Sequence, residues 1–261
     1  MLRTKLSLAA ILMTYASVAQ IDYVSEPAPT RFSSHTITMN LCFDTDNFKA
    51  VSLEDMMNLA DDPNQVERDL TGLEAAPRLS TTGASAYFNY RFDPNPKPDN
   101  GTINTEISVG GSVVGDKEAM LSYQNKDLDT SIVYCSIHKE VGLEAAFLLT
   151  GLLGQHAYWS VGIGGSGSMT YDNNLLVLSG RYFGPDEHPS NQEGISMESY
   201  SARPMYFGRV FLQHNIGFLA GKHWMLGMQF RQGVGMQQIS GGRSNTFTHS
   251  SLGMVSVGYR F

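Results

Sequence analysis

Charge is scarce in this chain of 261 residues: Asp, Glu, Lys and Arg together make up 16%, against roughly 25% in an ordinary soluble domain. What charge there is leans acidic, with a formal net value of −7, so no basic footprint for nucleic acid is present. Long apolar runs are also missing. No window holds 18 consecutive apolar residues, which excludes a transmembrane helix; if this chain crosses a membrane, it does so as a closed sheet, because open strand edges do not survive in lipid. Cysteine is limited to Cys42 and Cys135. In an oxidising compartment the two either pair or remain thiols, and their separation in sequence does not choose between these. The seven histidines are scattered, with no two-ligand spacing on one face, so no metal and no cofactor are expected.

Glycine, by contrast, is abundant at 26 residues, and 12 tyrosines stand beside 13 phenylalanines. The chain opens in the order basic, apolar, small: Arg3 and Lys5, then Leu6 to Met13, then Ser17-Val18-Ala19 before Gln20. That order predicts a secretory signal peptide over 1–19, cleaved after Ala19. Residues 20–80 form an N-terminal segment. Within it, 36–43 alternates polar and apolar and reads as a strand, and 52–60 reads as a short helix with Ser52 as its N-cap. The stretch 61–80 is polar and without pattern.

From 81 to 261 a period of two recurs. Ala84, Ala86, Phe88, Tyr90 and Phe92 share one face, opposed by Ser85, Tyr87, Asn89 and Arg91. The same alternation runs through 102–113, 157–171, 224–237 and 251–261, and more weakly through 118–124, 131–138, 141–150, 174–183 and 205–219. Several of these runs exceed ten residues, longer than the ~5–6 of globular sheets and about the length a tilted membrane strand needs. One face is apolar throughout, and the other is rich in Gly and Ser with occasional Arg or Glu. That is the inside-out pattern of a lipid-facing barrel. The expected fold is an all-β, closed antiparallel transmembrane β-barrel of about ten strands, with 8 to 12 allowed, preceded by a short helix-containing segment.

With both barrel ends in the periplasm, counting back from Phe261 alternates the links. It places 240–247, 184–204, 151–155, 125–130 and 93–101 outside, and 220–223, 171–174, 138–140 and 115–117 in the periplasm. Aromatics then gather at two rims, Phe218, Trp224, Tyr259 and Phe261 inside, and Tyr90, Phe92, Tyr182 and Tyr206 outside. The strand 36–43 makes the count odd. Either it lies outside the wall, or a weak strand such as 118–124 is a loop.

The ending Met254-Val255-Ser256-Val257-Gly258-Tyr259-Arg260-Phe261 resembles the terminal strand of bacterial outer-membrane proteins, and the plan of the mature chain resembles the small OmpA/OmpX-type barrels. The resemblance implies an outer-membrane location, contact with lipid and lipopolysaccharide, and recognition of this C-terminal signal, Tyr259 and Phe261, by the barrel-assembly machinery. No segment follows the last strand, so the peptidoglycan-binding domain of full OmpA proteins is not expected.

Four constellations bear on chemistry. Gly162-x-Gly164-x-x-Gly167 matches a dinucleotide fingerprint as a string, but it lies in a strand and opens no helix. Asp44-x-Asp46 begins like a calcium loop, yet Lys49 and Asp55 stand where glycine and glutamate belong. Arg91, Glu106, Glu144, Arg181, Arg231 and Arg260 share the inward face; buried charges must be paired or solvated, and pairs in so narrow a barrel plug it. His249 and Ser251 lie two apart on one face and resemble the His-x-Ser pair of outer-membrane lipid A deacylases. That family continues Ser-Asn with an acid further on, whereas Leu252 follows here and 250–261 contains no Asp or Glu. The expected function is therefore non-enzymatic: a structural, adhesive or envelope-complex role through external loops, with a lipid A-modifying hydrolase or a narrow pore as alternatives.

Overall fold

The computed structural model describes residues 35–43, 52–75, 79–80, 83–94, 103–125, 127, 129–153, 156–180, 195–221, 223–241 and 245–261. The predicted signal peptide, Asp44, Asp46, Arg181 and Tyr182 lie outside the described residues. Among those described, the strands are β1 (His35–Phe43), β2 (Glu74–Ala75), β3 (Leu79–Ser80), β4 (Ala84–Phe92), β5 (Asn104–Asn125) and β6 (Thr130–Leu153). They continue with β7 (Ala157–Gly180), β8 (Ser196–Ser201), β9 (Met205–Ala220), β10 (Trp224–Ile239) and β11 (Asn245–Arg260). Two short helices, α1 (Leu53–Leu59) and α2 (Pro63–Val66), lie between β1 and β2.

Eight strands close a ring in the order β5-β4-β1-β11-β10-β9-β7-β6, sealed by the pairing of β5 with β6. Every pairing is antiparallel. The ring falls within the expected range of strand number, and closure leaves no open strand edge within the ring. The strand at 36–43 is part of the wall, between β4 and β11, so the barrel is not confined to 81–261.

Three expected turns are absent from the fold. Gly115-Asp116-Lys117, His138-Lys139-Glu140 and Tyr171-Asp172-Asn173-Asn174 lie inside the continuous strands β5, β6 and β7. The first two sites are marked by register shifts between Val114 and Lys117 and between Ile137 and Lys139. At the third, Asp172 has φ 53°, the left-handed conformation that an extra residue in a bulge adopts. These segments are polar for a reason other than turning: Lys139 is ion-paired with Asp172 at 2.5 Å and with Asp116 at 3.7 Å, a charged rung across three strands. Removing three turns reverses the sidedness of two links. The described strand ends Phe92 and Asn104, and Leu153 and Ala157, lie at the end that carries Phe261, not at the opposite end. Tyr90 and Phe92 accordingly join the rim of Tyr259 and Phe261, since Tyr90 pairs with Ile37, which pairs with Tyr259.

Below the charged rung, the wall is inside-out. Thr36, Thr38, Asn40, Asn89, Gln213, Asn215 and Gln229 are buried, while Leu143, Ile163, Val210, Leu212 and Val255 are exposed. Above it, β5, β6 and β7 continue as a projecting sheet extended by β2 and β3 on one edge and β8 on the other. The bulges shift side-chain parity on β5 and β7, so inward positions become Ala119, Leu121, Leu175 and Val177. These join Ile132, Tyr134, Met205, Phe207 and Ile239 around Met56, Leu59 and Val66 of the two helices. The helix expected at 52–60 thus forms a cap on this apolar cluster. It starts at a capping box: Ser52 Oγ accepts from Asp55 N at 3.1 Å, and the Asp55 carboxylate accepts from Ser52 N at 3.0 Å, which satisfies two otherwise unpaired amides. Cys42 and Cys135 do not form a disulfide; they lie in separate apolar clusters. Burial in the projecting sheet pushes the Cys135 thiol up to about 12, which leaves it protonated and unreactive near neutral pH.

Candidate functional site

The lumen is built from inward side chains of all eight ring strands, stacked in three layers. At the middle, Arg231 of β10 and Glu144 of β6 form a two-pronged ion pair, with both N–O distances 2.6 Å. Gln213 Oε1 accepts from Arg231 Nε at 3.0 Å. The guanidinium lies between two rings, 5.0 Å from the Tyr87 centroid and 4.5 Å from that of Phe211. Gly164 of the dinucleotide-like string faces this layer for a packing reason: a Cβ there would sit 2.6 Å from the Phe211 ring. The glycine makes room for an aromatic and cradles no phosphate.

Toward the Phe261 end, Glu106 accepts from Thr150 Oγ1 at 3.0 Å and lies in the field of Arg91 and Arg260. All four residues are buried. Tyr158, Leu219 and Met225 fill the space beside them. Toward the capped end, Glu140 is held by Lys117 Nζ at 3.1 Å, by Arg209 Nη2 at 3.4 Å and by Ser168 Oγ at 3.2 Å. His138 stacks on Phe207, with Nε2 3.6 Å from the same carboxylate.

Of the inward charges expected from sequence, Arg91, Glu106, Glu144, Arg231 and Arg260 all point into the lumen. Arg231 of β10 partners Glu144 of β6, a pairing across opposite walls that parity within one strand does not give. The upper cluster of Lys117, His138, Glu140 and Arg209 escaped the sequence reading, since two of the expected turns ran through it. The usable signal was alternation that continues past 117 with its parity shifted by one residue.

Above the lumen, the cap is tied to β8. Arg68 Nη2 meets Glu198 at 2.6 Å and the Tyr200 hydroxyl at 2.9 Å, and Tyr200 donates to Glu198. Arg203 N donates to Leu59 O at 2.7 Å, and Ala60 bridges to Ala202. The hydrogen bond from Tyr200, reinforced by the Arg68 charge, holds the Glu198 carboxyl below its usual range.

His249 and Ser251 both face outward on β11, opposite Val234 and Gln232 of β10. The described outward positions of β9, β10 and β11 contain no carboxylate to orient the imidazole. Tyr259 stacks on His223 and meets Trp224 and Phe261 edge-on at 5.2 and 5.4 Å, an aromatic rim at the end of the last strand. Among the described residues, no group of three or more His, Cys, Asp or Glu is arranged to hold a metal, and no helix is long and apolar enough to cross a membrane.

Taken together, these features define a closed antiparallel β-barrel with an apolar outer belt, a charge-paired lumen and a helical cap. No protein-family model matches the chain, and no curated protein matches it. Among solved structures it is similar to the crystal structure of the outer membrane protein OprG from Pseudomonas aeruginosa, with a TM-score of 0.40 and 10% identity. That match covers 92% of this chain and 99% of that one.

Proposed function

We propose that this chain is an integral protein of a bacterial outer membrane, exported by residues 1–19, which acts as a non-conducting anchor and presents the capped, projecting sheet as a contact surface. The observation that carries the reading is a change of character along the same strands. Below the Asp116–Lys139–Asp172 rung, the exposed face is an apolar belt rimmed by Tyr259, Trp224 and Phe261, as lipid requires. Above it, the fold has an apolar core of its own and polar edges. The lumen between is crossed by Arg231–Glu144 and sealed by the cap, so transport is not its role. Binding residues concentrate on such projecting parts of rigid scaffolds, and a subunit of an envelope complex, an adhesin or a structural barrel all fit. Purified protein in planar bilayers is expected to give no steady conductance, and large stable channels would refute the sealed-lumen reading. Affinity purification from native membranes in mild detergent then separates a complex subunit, which brings a stoichiometric partner, from a lone structural barrel.

A lipid-hydrolysing role is a second reading, favoured by one observation: His249 and Ser251 both face the lipid side. A histidine base beside a serine is sound nucleophile chemistry. Among the described outward positions of β9, β10 and β11 no carboxylate orients the imidazole, which weighs against it, since loss of that group costs about 10⁴ in turnover in serine proteases. Mass spectrometry of lipid A from cells expressing wild type, His249→Ala and Ser251→Ala is expected to show no acyl chain lost in any of them.

A further inference from the structure

Charge inside the barrel does not balance. Among the described residues, the cations Arg91, Lys117, Arg209, Arg231 and Arg260 face the carboxylates Glu106, Glu140 and Glu144. Arg231 takes both oxygens of Glu144, and Lys117 and Arg209 share Glu140. The Phe261 end is left with two buried arginines, Arg91 and Arg260, and one buried carboxylate, Glu106, which accepts from Thr150. Asp93, the next carboxylate, is half-buried one residue past the end of β4. A buried cation without a full counter-charge is costly.

Arg91 is the member of this layer that its neighbours leave unsatisfied. Its Nε has no hydrogen-bond partner. Its Nη2 lies 3.5 Å from Gln229 Oε1, at the limit of a hydrogen bond. In the orientation that satisfies both ends of the Gln229 amide, that oxygen is taken by Arg231 at 2.6 and 2.8 Å. Beside Arg91 on the same two strands, Thr38 Oγ1, Asn40 Nδ2 and Asn89 Oδ1 are also buried without partners. Thr38 stands opposite Asn89, with Thr36 opposite Arg91 on one side and Asn40 opposite Tyr87 on the other. The four groups therefore line one continuous stretch of the inner wall of β1 and β4. Asn89 lies over Gly110, where a Cβ would collide with its Oδ1. Ordered water satisfies neutral groups of this kind, but it does not neutralise a guanidinium.

We propose that the inner wall of β1 and β4 binds hydrogen phosphate, held by Arg91 together with Thr38, Asn40 and Asn89. The Arg91 guanidinium supplies charge and a planar fork of N–H donors, the geometry that suits an oxyanion. The Thr38 hydroxyl and the Asn40 amide donate to further oxygens, and Asn89 Oδ1 accepts the anion's own O–H. That single acceptor among donors favours hydrogen phosphate over a carboxylate or chloride, neither of which has a proton to give. Arg260 stands on the same rung as Arg91, with Thr36 between them, and adds its positive field. A ring of eight strands encloses side chains or one small ligand, so the ion is free phosphate and not a lipid headgroup, whose phosphodiester also lacks the O–H. The site goes beyond the anchor role and requires only the folded ring.

The test uses full-length protein folded in octyl glucoside, free of phospholipid, and dialysed free of phosphate. Inorganic phosphate, acetate and chloride are titrated separately as sodium salts at equal ionic strength. Isothermal titration calorimetry reads binding, and urea unfolding followed by heat-modifiable gel mobility reads stability. Wild type is expected to bind phosphate, and its urea midpoint should rise with phosphate concentration, as binding to the folded state alone requires. Acetate and chloride should do neither. Arg91→Met should weaken phosphate binding by about tenfold or more, the scale of a lost hydrogen bond to a charged group. Thr38→Val, close in shape and uncharged, should weaken it several-fold and carries the test if Arg91→Met does not fold. Lys139→Gln removes a cation of the exposed rung and should bind phosphate as wild type does. Absence of phosphate binding by wild type overturns the proposal. A response that acetate reproduces, or that Arg91→Met and Thr38→Val both retain in full, shows an adventitious ion only and overturns it as well. Because the measurement is made in detergent, its failure leaves the anchor reading to its own tests.

Discussion

Strands β5, β6 and β7 pass through two regions of opposite polarity. In the lower region their inward residues are Glu106, Ser108, Ser112, Glu140, Glu144, Ser160 and Thr170, and their outward ones include Val109, Val113, Leu143, Ile163 and Met169. In the upper region, past the bulges, the inward residues are Ala119, Leu121, Ile132, Tyr134, Leu175 and Val177, closed over by Met56, Leu59 and Val66. On the proposed membrane reading, one sheet serves two solvents: in the belt, stability comes from ring closure and from charge pairs inside, and above it from apolar burial beneath two short helices. The register shifts between Val114 and Lys117 and between Ile137 and Lys139 lie at the boundary.

The strongest way to break that contrast is to leave a charge alone in the lower region. Glu144→Ala strands the Arg231 guanidinium between Tyr87 and Phe211, and loss of one partner of a buried pair costs about 3–5 kcal/mol. Urea unfolding followed by heat-modifiable mobility should show the loss. Arg231→Met combined with Glu144→Leu should recover most of it, because the stranded charge is gone. A double variant no better than the single would mean that the pair does not act as a unit.

Next in size is the rim of the lower region. Tyr259→Asp puts a carboxylate where Trp224, His223 and Phe261 pack, and removal of Phe261 takes away one ring of the cluster. Both are expected to cut the folded yield in the membrane fraction several-fold. Normal yield from both would remove the aromatic rim as an anchor.

In the upper region, Met56→Ala opens a cavity under the cap at a local cost of about 2–5 kcal/mol. Limited proteolysis should then cleave within 52–75 while the barrel keeps its heat-modifiable mobility. Cleavage in the wall strands as well would show the two regions to be one cooperative unit. The smallest effect concerns the Arg68–Glu198–Tyr200 tie. Because the folded Glu198 carboxyl lies below its ordinary value, its contribution is present above the ordinary carboxylate range near pH 4. It is lost as pH falls through the depressed folded value. The protection factors of the cap amides, taken against intrinsic exchange at the same pH, should fall on acidification in wild type, and that fall should be weaker in Glu198→Gln.

Much of this was legible in the residues themselves. Alternation in 84–92, 224–237 and 251–261 identified wall strands and sorted their faces correctly, because side-chain direction in a strand depends only on parity. Ser52 announced the start of α1, since an N-cap is a local device. Arg91, Glu106, Glu144, Arg231 and Arg260 were assigned to the inside by the same parity, without reference to partners.

What the chain alone determined, then, was local: which segments are extended, which face of each is apolar, and that a closed sheet is the form such a pattern takes in lipid. Only the tertiary structure decided that 115–117, 138–140 and 171–174 continue their strands. A polar triplet looks the same as a turn or as a charged rung, and the pairing of Lys139 with Asp116 and Asp172 exists only once three strands lie side by side. The tertiary structure likewise decided that β1 closes the ring, that Arg231 finds Glu144, and that a helix read as a separate segment caps the lumen. Each of these depends on residues brought together from distant positions by ring closure, and no periodicity within a single strand encodes its neighbour.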